Sequence, residues 1–244
     1  MTRLSINLNK IALLRNQRDG DTPSVLSAAK TIIQAGAEGI TVHPRPDQRH
    51  IRPADVHDLS AMLRRGDYHA VEFNIEGNPF IDYLPLVETV VPDQATFVPD
   101  GPDARTSEAG WSIEQDGHRL KPVIQQLRDI GIRVSLFMEP DPDTIGRAAD
   151  VGANRVELYT GPYAEMIAHG RRDEAIDLYA AAASAARASG LGLNAGHDLS
   201  LDNLDPLIKA IPDLAEVSIG HAFTADALWM GLAQATRAYK RCLG

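Results

Sequence analysis

One cysteine, Cys242, is all the chain has, so no disulfide framework and no cysteine metal site can be assembled from it. Aromatic residues make up 5%, which leaves the core to layers of Val, Ile, Leu and Ala. Lysine is scarce too, at five residues, and only Lys10 falls at the end of a strand candidate, so catalysis through a lysine imine has little support. No apolar run approaches the ~20 residues of a membrane span, and the opening MTRLSINLNK lacks the apolar stretch of a secretory leader. The expectation is a cytoplasmic protein. Neither G-x-G-x-x-G nor a P-loop occurs, which removes the common nucleotide fingerprints, and no H-x-H or H-E-x-x-H spacing offers a zinc site. A net charge of −9 argues against nucleic acid or an anionic membrane as partner, although a few local arginines still suffice for a phosphate ligand.

What the chain does have is apolar content and a repeating pattern. Its 244 residues, 44% hydrophobic and 23% charged, suit one domain running 1–244, and (β/α)8 barrels use about 250. A short β-rich run ending in polar or Gly residues is followed each time by a helical stretch. The strand candidates are 4–9, 39–43, 70–76, 94–99, 133–138, 155–160, 192–197 and 216–221. Helical segments are expected around 24–35, 53–64, 80–90, 119–130, 142–151, 172–189, 203–210 and 224–240. Gly36, Gly131 and Gly152 stand where helices should stop before the next strand. Alternating β and α predicts a parallel sheet, and eight such units predict closure into an α/β TIM barrel. An open doubly wound sheet is the rival, and it would usually carry the missing nucleotide fingerprint. The long connections 44–52 and 100–118 read as binding or lid loops, the second as mobile. The alanine-rich stretch 180–192 suits either barrel packing or a subunit contact.

In such a barrel the C-terminal strand ends converge on one mouth, where chemistry gathers. Here those ends carry Asn7, Asn9, His43, Glu76, Glu157, His197 and His221, with His50 in the loop after the second strand. A lone strand-end histidine is more often structural than functional. His and Glu at several independent strand ends are harder to read that way. The other four histidines, His57, His69, His118 and His169, fall in helices or outer loops and read as surface. Strands seven and eight end alike, as Asn194-Ala195-Gly196-His197 and Ser218-Ile219-Gly220-His221. Barrels often hold phosphate there on backbone N–H groups that glycine lets come close, and the same glycines also serve plain tight turns. Arg15 and Arg18 after the first strand, with Arg45 and Arg49 after the second, suggest a further anion site, though each alone reads as a solvated charge. Two phosphate sites on one mouth imply a bisubstrate reaction or a bisphosphate.

The runs NLNKIALLRNQR, GITVHPRPDQRHI, FNIEGNP, VSLF, VELYTG, LNAGH and IGHA, in this order and spacing, resemble the motifs of the pyridoxine 5'-phosphate synthase family of de novo vitamin B6 biosynthesis. The resemblance reaches from Ser5 to the final helix. It implies a (β/α)8 barrel with short extra helices, assembly as a homo-octamer (a tetramer of dimers), and no metal or organic cofactor. It further implies condensation of 1-deoxy-D-xylulose 5-phosphate with 3-amino-2-oxopropyl phosphate, releasing phosphate and water. By the same resemblance His43 is an acid/base histidine, Glu76 the catalytic glutamate, His197 a proton donor and Glu157 a carboxylate that steadies charged intermediates. Arg45, His50 and Thr106 match residues that hold the deoxyxylulose phosphate. Asn7, Arg18, Gly220 and His221 match those that hold the amino ketone.

Two positions depart from the family pattern. The commoner Asp-His after the first strand is Asn9-Lys10 here, and the Gly usual after NAGH is Asp198. The first change loses a carboxylate and gains an amine near the sugar phosphate. The second sets a carboxylate beside an expected phosphate site, where Asp198 is expected to contribute its backbone N–H. The implied reaction needs many proton transfers and no redox step, hence several acid/base groups of different pKa around one cavity. Two other readings stay open: a phosphosugar isomerase or Lys10 aldolase on the same fold, and a sensor that binds phosphate ligands without turnover.

Overall fold

Eight short strands, β1 (Arg3–Asn7), β2 (Gly39–Val42), β3 (Glu72–Gly77), β4 (Gln94–Phe97), β5 (Arg133–Met138), β6 (Arg155–Leu158), β7 (Gly192–Ala195) and β8 (Glu216–Ile219), pair in parallel and in chain order. β8 returns to pair with β1, so the sheet is a closed barrel in the computed structural model, which describes residues 1–104 and 106–244. The TIM-barrel expectation holds. Several strands end one or two residues sooner than the sequence suggested, which leaves His43, His197 and His221 just past β2, β7 and β8.

Helices α1 (Asn9–Arg15), α2 (Val25–Gln34), α3 (Pro53–Leu63), α4 (Leu84–Val90), α5 (Ile113–Asp129), α6 (Gly161–Ala168), α7 (Arg172–Ala188), α8 (Leu204–Ala210), α9 (His221–Met230) and α10 (Leu232–Cys242) surround the barrel. The sequence reading did not anticipate α1 or α6, and its single helix over 224–240 is two, broken at Gly231. The segment 142–151 forms only a 3-10 run, Ile145–Ala149. Asp141 is the reason: its carboxylate accepts from the Asp143 N–H at 3.0 Å and the Thr144 hydroxyl at 2.8 Å, a local turn that competes with helix. α5 begins at Ile113 rather than near 119, because Ser112 caps it at the Gln115 N–H (3.4 Å) and Glu114 and Asp116 favour its N-terminal dipole. Gly36, Gly131 and Gly152 do end helical segments, with φ of 112°, 87° and 88°.

Strand alternation divides the protein into an apolar shell and a polar lumen. Leu4, Ile6, Ile40, Val42, Ile75, Leu136, Val217 and Ile219 are buried against the helices, with Ile32, Leu59, Ile124 and Tyr179 packed over them. Their neighbours Ser5, Thr41, Asn74, Thr96, Ser135, Glu157, Asn194 and Ser218 point inward and are buried too. The inward side chains bond to one another: Ser5 to Thr41 at 2.8 Å, Thr96 to Asn74 at 3.0 Å, and Asn194 to Gln94 at 3.3 Å. The Val, Ile, Leu and Ala core expected from composition therefore lies between strands and helices, while the lumen lacks the branched aliphatic layers usual in this fold. At the N-terminal end of the lumen, Glu72 pairs with Arg3 at 2.5 Å and with Arg133, and Arg155 donates to Asn194 at 3.1 Å. Ala182, Ala183 and Ala186 of α7 are fully buried, so the alanine-rich stretch packs within the fold. No helix among the described residues is long and apolar enough to cross a membrane.

Candidate active site

The same alternation that fills the lumen with polar groups carries acid/base side chains up to its C-terminal mouth. A cavity of about 360 Å³ opens there. Asn7 reaches it from β1, Asn9 and Lys10 from the first turn of α1, Glu76 from β3 and Glu157 from β6. His43, Arg45 and His50 line it from the β2–α3 loop, Thr106 from the β4–α5 loop, His197 and Asp198 from the turn after β7, and Gly220 and His221 from the start of α9. Arg18 is not brought to the cavity; it lies exposed in the turn after α1. The four histidines read as surface are all exposed.

The four arginines expected to gather as an anion site do not. Arg15 is buried, its Nη2 donating to Asp55 Oδ2 at 2.9 Å and to the His50 carbonyl at 3.2 Å. Arg49 is taken up by Asp47 at 2.6 Å and by the carbonyls of Ala104 and Pro102 at 3.1 and 3.2 Å. Carboxylates and carbonyls of neighbouring loops have claimed these guanidiniums, and of the four only Arg45 faces the cavity. Arg45 forms a buried pair with Asp100 at 2.5 Å and donates to the Ala104 carbonyl at 2.9 Å, while Ser107 adds a hydroxyl to Asp100 at 2.8 Å. Arg45 and Arg49 thus dock the loop after β4 over the mouth.

At the centre, Asn7 donates to Glu76 Oε2 at 3.2 Å, and His43 Nδ1 stands 3.9 Å from the same oxygen. Asn9 accepts the His43 backbone N–H at 2.9 Å and so fixes where that histidine leaves β2. His50 Nδ1 accepts from the Ile51 N–H at 2.9 Å, which leaves Nε2 as the proton-bearing nitrogen of the neutral ring. On the far wall His197 packs edge-on to Tyr159 at 5.5 Å, with Nε2 2.7 Å from the Thr106 hydroxyl and Nδ1 3.1 Å from Asp198. Gly196 makes this approach possible. A Cβ there would sit 2.4 Å from the Ser218 carbonyl oxygen and 3.1 Å from Glu157 Oε1. The first amides of α9 have no partner within their own helix, and Gly220 lets that helix end come up against Asn7.

Burial drives the electrostatics. Burial first, then Asp100 and Glu216, pushes Glu76 from 4.5 up to about 8, against the pull of Arg45 and Asn7. Glu157 is also raised well above the usual carboxylate range, by burial and then by Glu76 and Glu216. Charge on either Glu76 or Glu216 in this low-dielectric lumen disfavours ionisation of Glu157, while Glu216 has Arg155, Arg133 and Arg3 to oppose the effect of burial. His43 is held well below 6.5, first by burial and then by Arg45, His50 and Arg49. His50 falls to about 4 for the same leading cause, with Arg45 and Lys10 behind it. At neutral pH the mouth therefore offers a protonated carboxyl beside a neutral imidazole, an acid and a base 3.9 Å apart.

Several contributors were missed in the sequence. Asp100 was read only as the first residue of the long loop 100–118, yet it pairs with Arg45 and helps raise Glu76. Ser218, Phe137 and Ser107 line the cavity as well. The inward register of β5 and β8 was the available signal for Phe137 and Ser218. Among the described residues no three His, Cys, Asp or Glu side chains form a group that could hold a metal ion.

Fold and mouth together define a (β/α)8-barrel enzyme with acid/base side chains gathered on one cavity. The chain belongs to the family described as pyridoxal phosphate biosynthesis protein PdxJ, which matches residues 4–244. A pyridoxine 5'-phosphate synthase from Xanthomonas campestris pv. campestris is 51% identical over 245 residues, covering 98% of this chain and 94% of its own. One from Bacteroides thetaiotaomicron is 50% identical over 244 residues, with 100% of each chain covered. The activity is pyridoxine 5'-phosphate synthesis, a step of vitamin B6 biosynthesis. Among solved structures, a tryptophan synthase from M. tuberculosis superposes with a TM-score of 0.65 at 12% identity, covering 99% of this chain and 93% of that one. A phosphoribosyl anthranilate isomerase from Thermus thermophilus gives 0.59 at 16%, covering 99% and 98%. These two share the fold alone.

Proposed function

We propose that the chain, as one catalytic domain over 1–244, condenses 1-deoxy-D-xylulose 5-phosphate with 3-amino-2-oxopropyl phosphate. The observation that carries this reading is the set of proton carriers on one cavity: Glu76 raised to about 8, His43 lowered, and His197 opposite them. The amine attacks the ketone, and protonated Glu76 gives its proton to the oxygen that leaves as water. Once ionised, Glu76 takes the proton beside the imine, and the resulting enamine expels phosphate. His43, neutral and adjacent, relays protons during condensation. His197 protonates the oxygen lost when the ring closes and becomes aromatic. Glu157 offsets positive charge on the imine intermediates.

Arg45, His50 and Thr106 hold the deoxyxylulose phosphate in this proposal, with Lys10 and Asn9 on the same side. Asn7, Gly220 and His221, with the first amides of α9, hold the amino ketone phosphate. Asp198 adds its backbone N–H there, and Arg18 is assigned to the same ligand by the family resemblance alone, since it lies exposed outside the cavity. The docked loop carrying Thr106 keeps water from the imine, and it opens to admit substrate. The proposed assembly is a homo-octamer, a tetramer of dimers, which would cover Leu228 and Trp229, 70% and 89% exposed on α9. The proposed setting is the cytoplasm, in keeping with a lone free Cys242.

The test is a coupled assay with both ketone phosphates that follows phosphate release and pyridoxine 5'-phosphate fluorescence together. Equal amounts of both products support the reading. Phosphate without the pyridine, or neither from folded protein and fresh amino ketone, overturns the substrate assignment. Borohydride trapping of a ketone on Lys10 would favour the aldolase instead.

A further inference from the structure

The turn after β7 holds a carboxylate for which the reaction as described has no task. Asp198 has φ of 61°, in the left-handed region that L-residues seldom adopt. That conformation is fixed from outside: Asn203 donates to the Asp198 carbonyl at 3.0 Å and accepts the Ser200 N–H at 2.8 Å. It leaves the side chain against its own predecessor, with Oδ2 3.1 Å from His197 Nδ1. An ionised carboxylate only accepts hydrogen bonds, so Nδ1 must carry the proton. This hydrogen bond holds the Asp198 carboxyl below its ordinary value, which keeps it ionised at neutral pH.

We propose that Asp198 is a positioning residue for pyridine ring closure: it fixes the His197 tautomer, makes Nε2 the working nitrogen, and steadies the ring while it carries a proton. The other contacts of His197 agree with this. Nε2 meets the Thr106 hydroxyl at 2.7 Å and faces the cavity, while Tyr159 and Phe137 bracket the ring at 5.5 and 6.4 Å between centroids. The Thr160 hydroxyl ties down the His197 carbonyl at 2.5 Å. With Nδ1–H committed to Asp198, the neutral ring has a bare Nε2 that can take one proton from the substrate. The imidazolium so formed lies against a carboxylate, and Nε2 returns that proton to the departing oxygen as it leaves as water. Protons balance over the cycle and the histidine ends as it began. This division of labour is that of an aspartate orienting a catalytic imidazole, reached here through the neighbouring residue in the chain.

The inference rests on the reading of His197 as a proton carrier, so its test includes His197→Asn. The principal variant is Asp198→Gly, since glycine adopts positive φ freely and the turn keeps its shape. Steady-state rates with both ketone phosphates are measured beside the imidazole nitrogen chemical shifts of His197. The expected result for Asp198→Gly is a kcat about threefold lower or more, the size expected of a contact that solvent partly screens on the half-exposed Asp198 carboxylate, with each KM within about twofold. The nitrogen shifts should change from one protonated and one bare nitrogen to the average of two tautomers. Unchanged nitrogen shifts, or a kcat within about twofold of the parent, overturn the role of Asp198. Full turnover by His197→Asn overturns the prior assignment of His197 instead.

Discussion

Replacing Glu76 by Gln should make the protein more resistant to unfolding at alkaline pH. The carboxyl is nearly buried, with 13% of its side chain exposed, and it titrates near 8 in the fold against 4.5 outside it. Between those values the folded state keeps a proton that the unfolded state has lost, so native stability falls as pH rises. The slope is about 1.4 kcal/mol per pH unit for one group, which over the interval from 4.5 to about 8 amounts to on the order of 5 kcal/mol. Part of that cost is already offset by Arg45 and the Asn7 hydrogen bond, both of which pull the value down. Glutamine keeps the shape and has no proton to lose, so Glu76→Gln removes the slope. The assay is urea unfolding at pH 5 and pH 9, read by the fluorescence of Trp111, which is 4% exposed. The parent should lose several kcal/mol more than Glu76→Gln between the two conditions, and the gap should open mainly above pH 5. Parallel losses in the two proteins would refute the claim that Glu76 enters the reaction protonated.

Other perturbations separate structural from chemical roles. Arg15→Ala breaks the buried pair with Asp55 and should cost about 3 kcal/mol in urea unfolding, with kcat within about twofold, because Arg15 does not face the cavity. Arg45→Ala leaves Asp100 buried without its partner and frees the Ala104 carbonyl; the loop after β4 should become a site of limited proteolysis, and KM for deoxyxylulose phosphate should rise about tenfold or more. Gly196→Ala forces a Cβ to within 2.4 Å of the Ser218 oxygen, so β7 and β8 must part; thermal unfolding should come several degrees lower, and turnover should fall through displacement of His197.

The fold was legible because period-two apolar runs alternate with helical ones, and the barrel follows from counting them. The proposed proton carriers were legible for a related reason. His43, Glu76, Glu157 and His197 sit where strands deliver side chains to the mouth, and strand ends can be found to within a residue or two. Arg15 was misread because its partner, Asp55, lies 40 positions away, and a guanidinium's fate depends on what the fold sets beside it. Asp100 was missed for the same reason. The polar lumen was present in the sequence as Ser5, Thr41, Asn74, Thr96, Ser135 and Ser218, each flanked by apolar neighbours, but composition alone pointed to an aliphatic interior. Asp198 needed coordinates. Only its positive φ turns the carboxylate onto His197, and no residue pattern encodes that contact.

The account stands or falls on Glu76 as the group that moves protons at the reacting centre. The direct measurement is pyridoxine 5'-phosphate formation by Glu76→Gln, made beside equilibrium binding of each ketone phosphate. Binding within about threefold of the parent with turnover reduced by at least ~100-fold is the predicted result, since a general acid/base contributes on that scale. Turnover within about tenfold of the parent, with binding intact, would contradict it and move the chemistry to His43 and His197 alone.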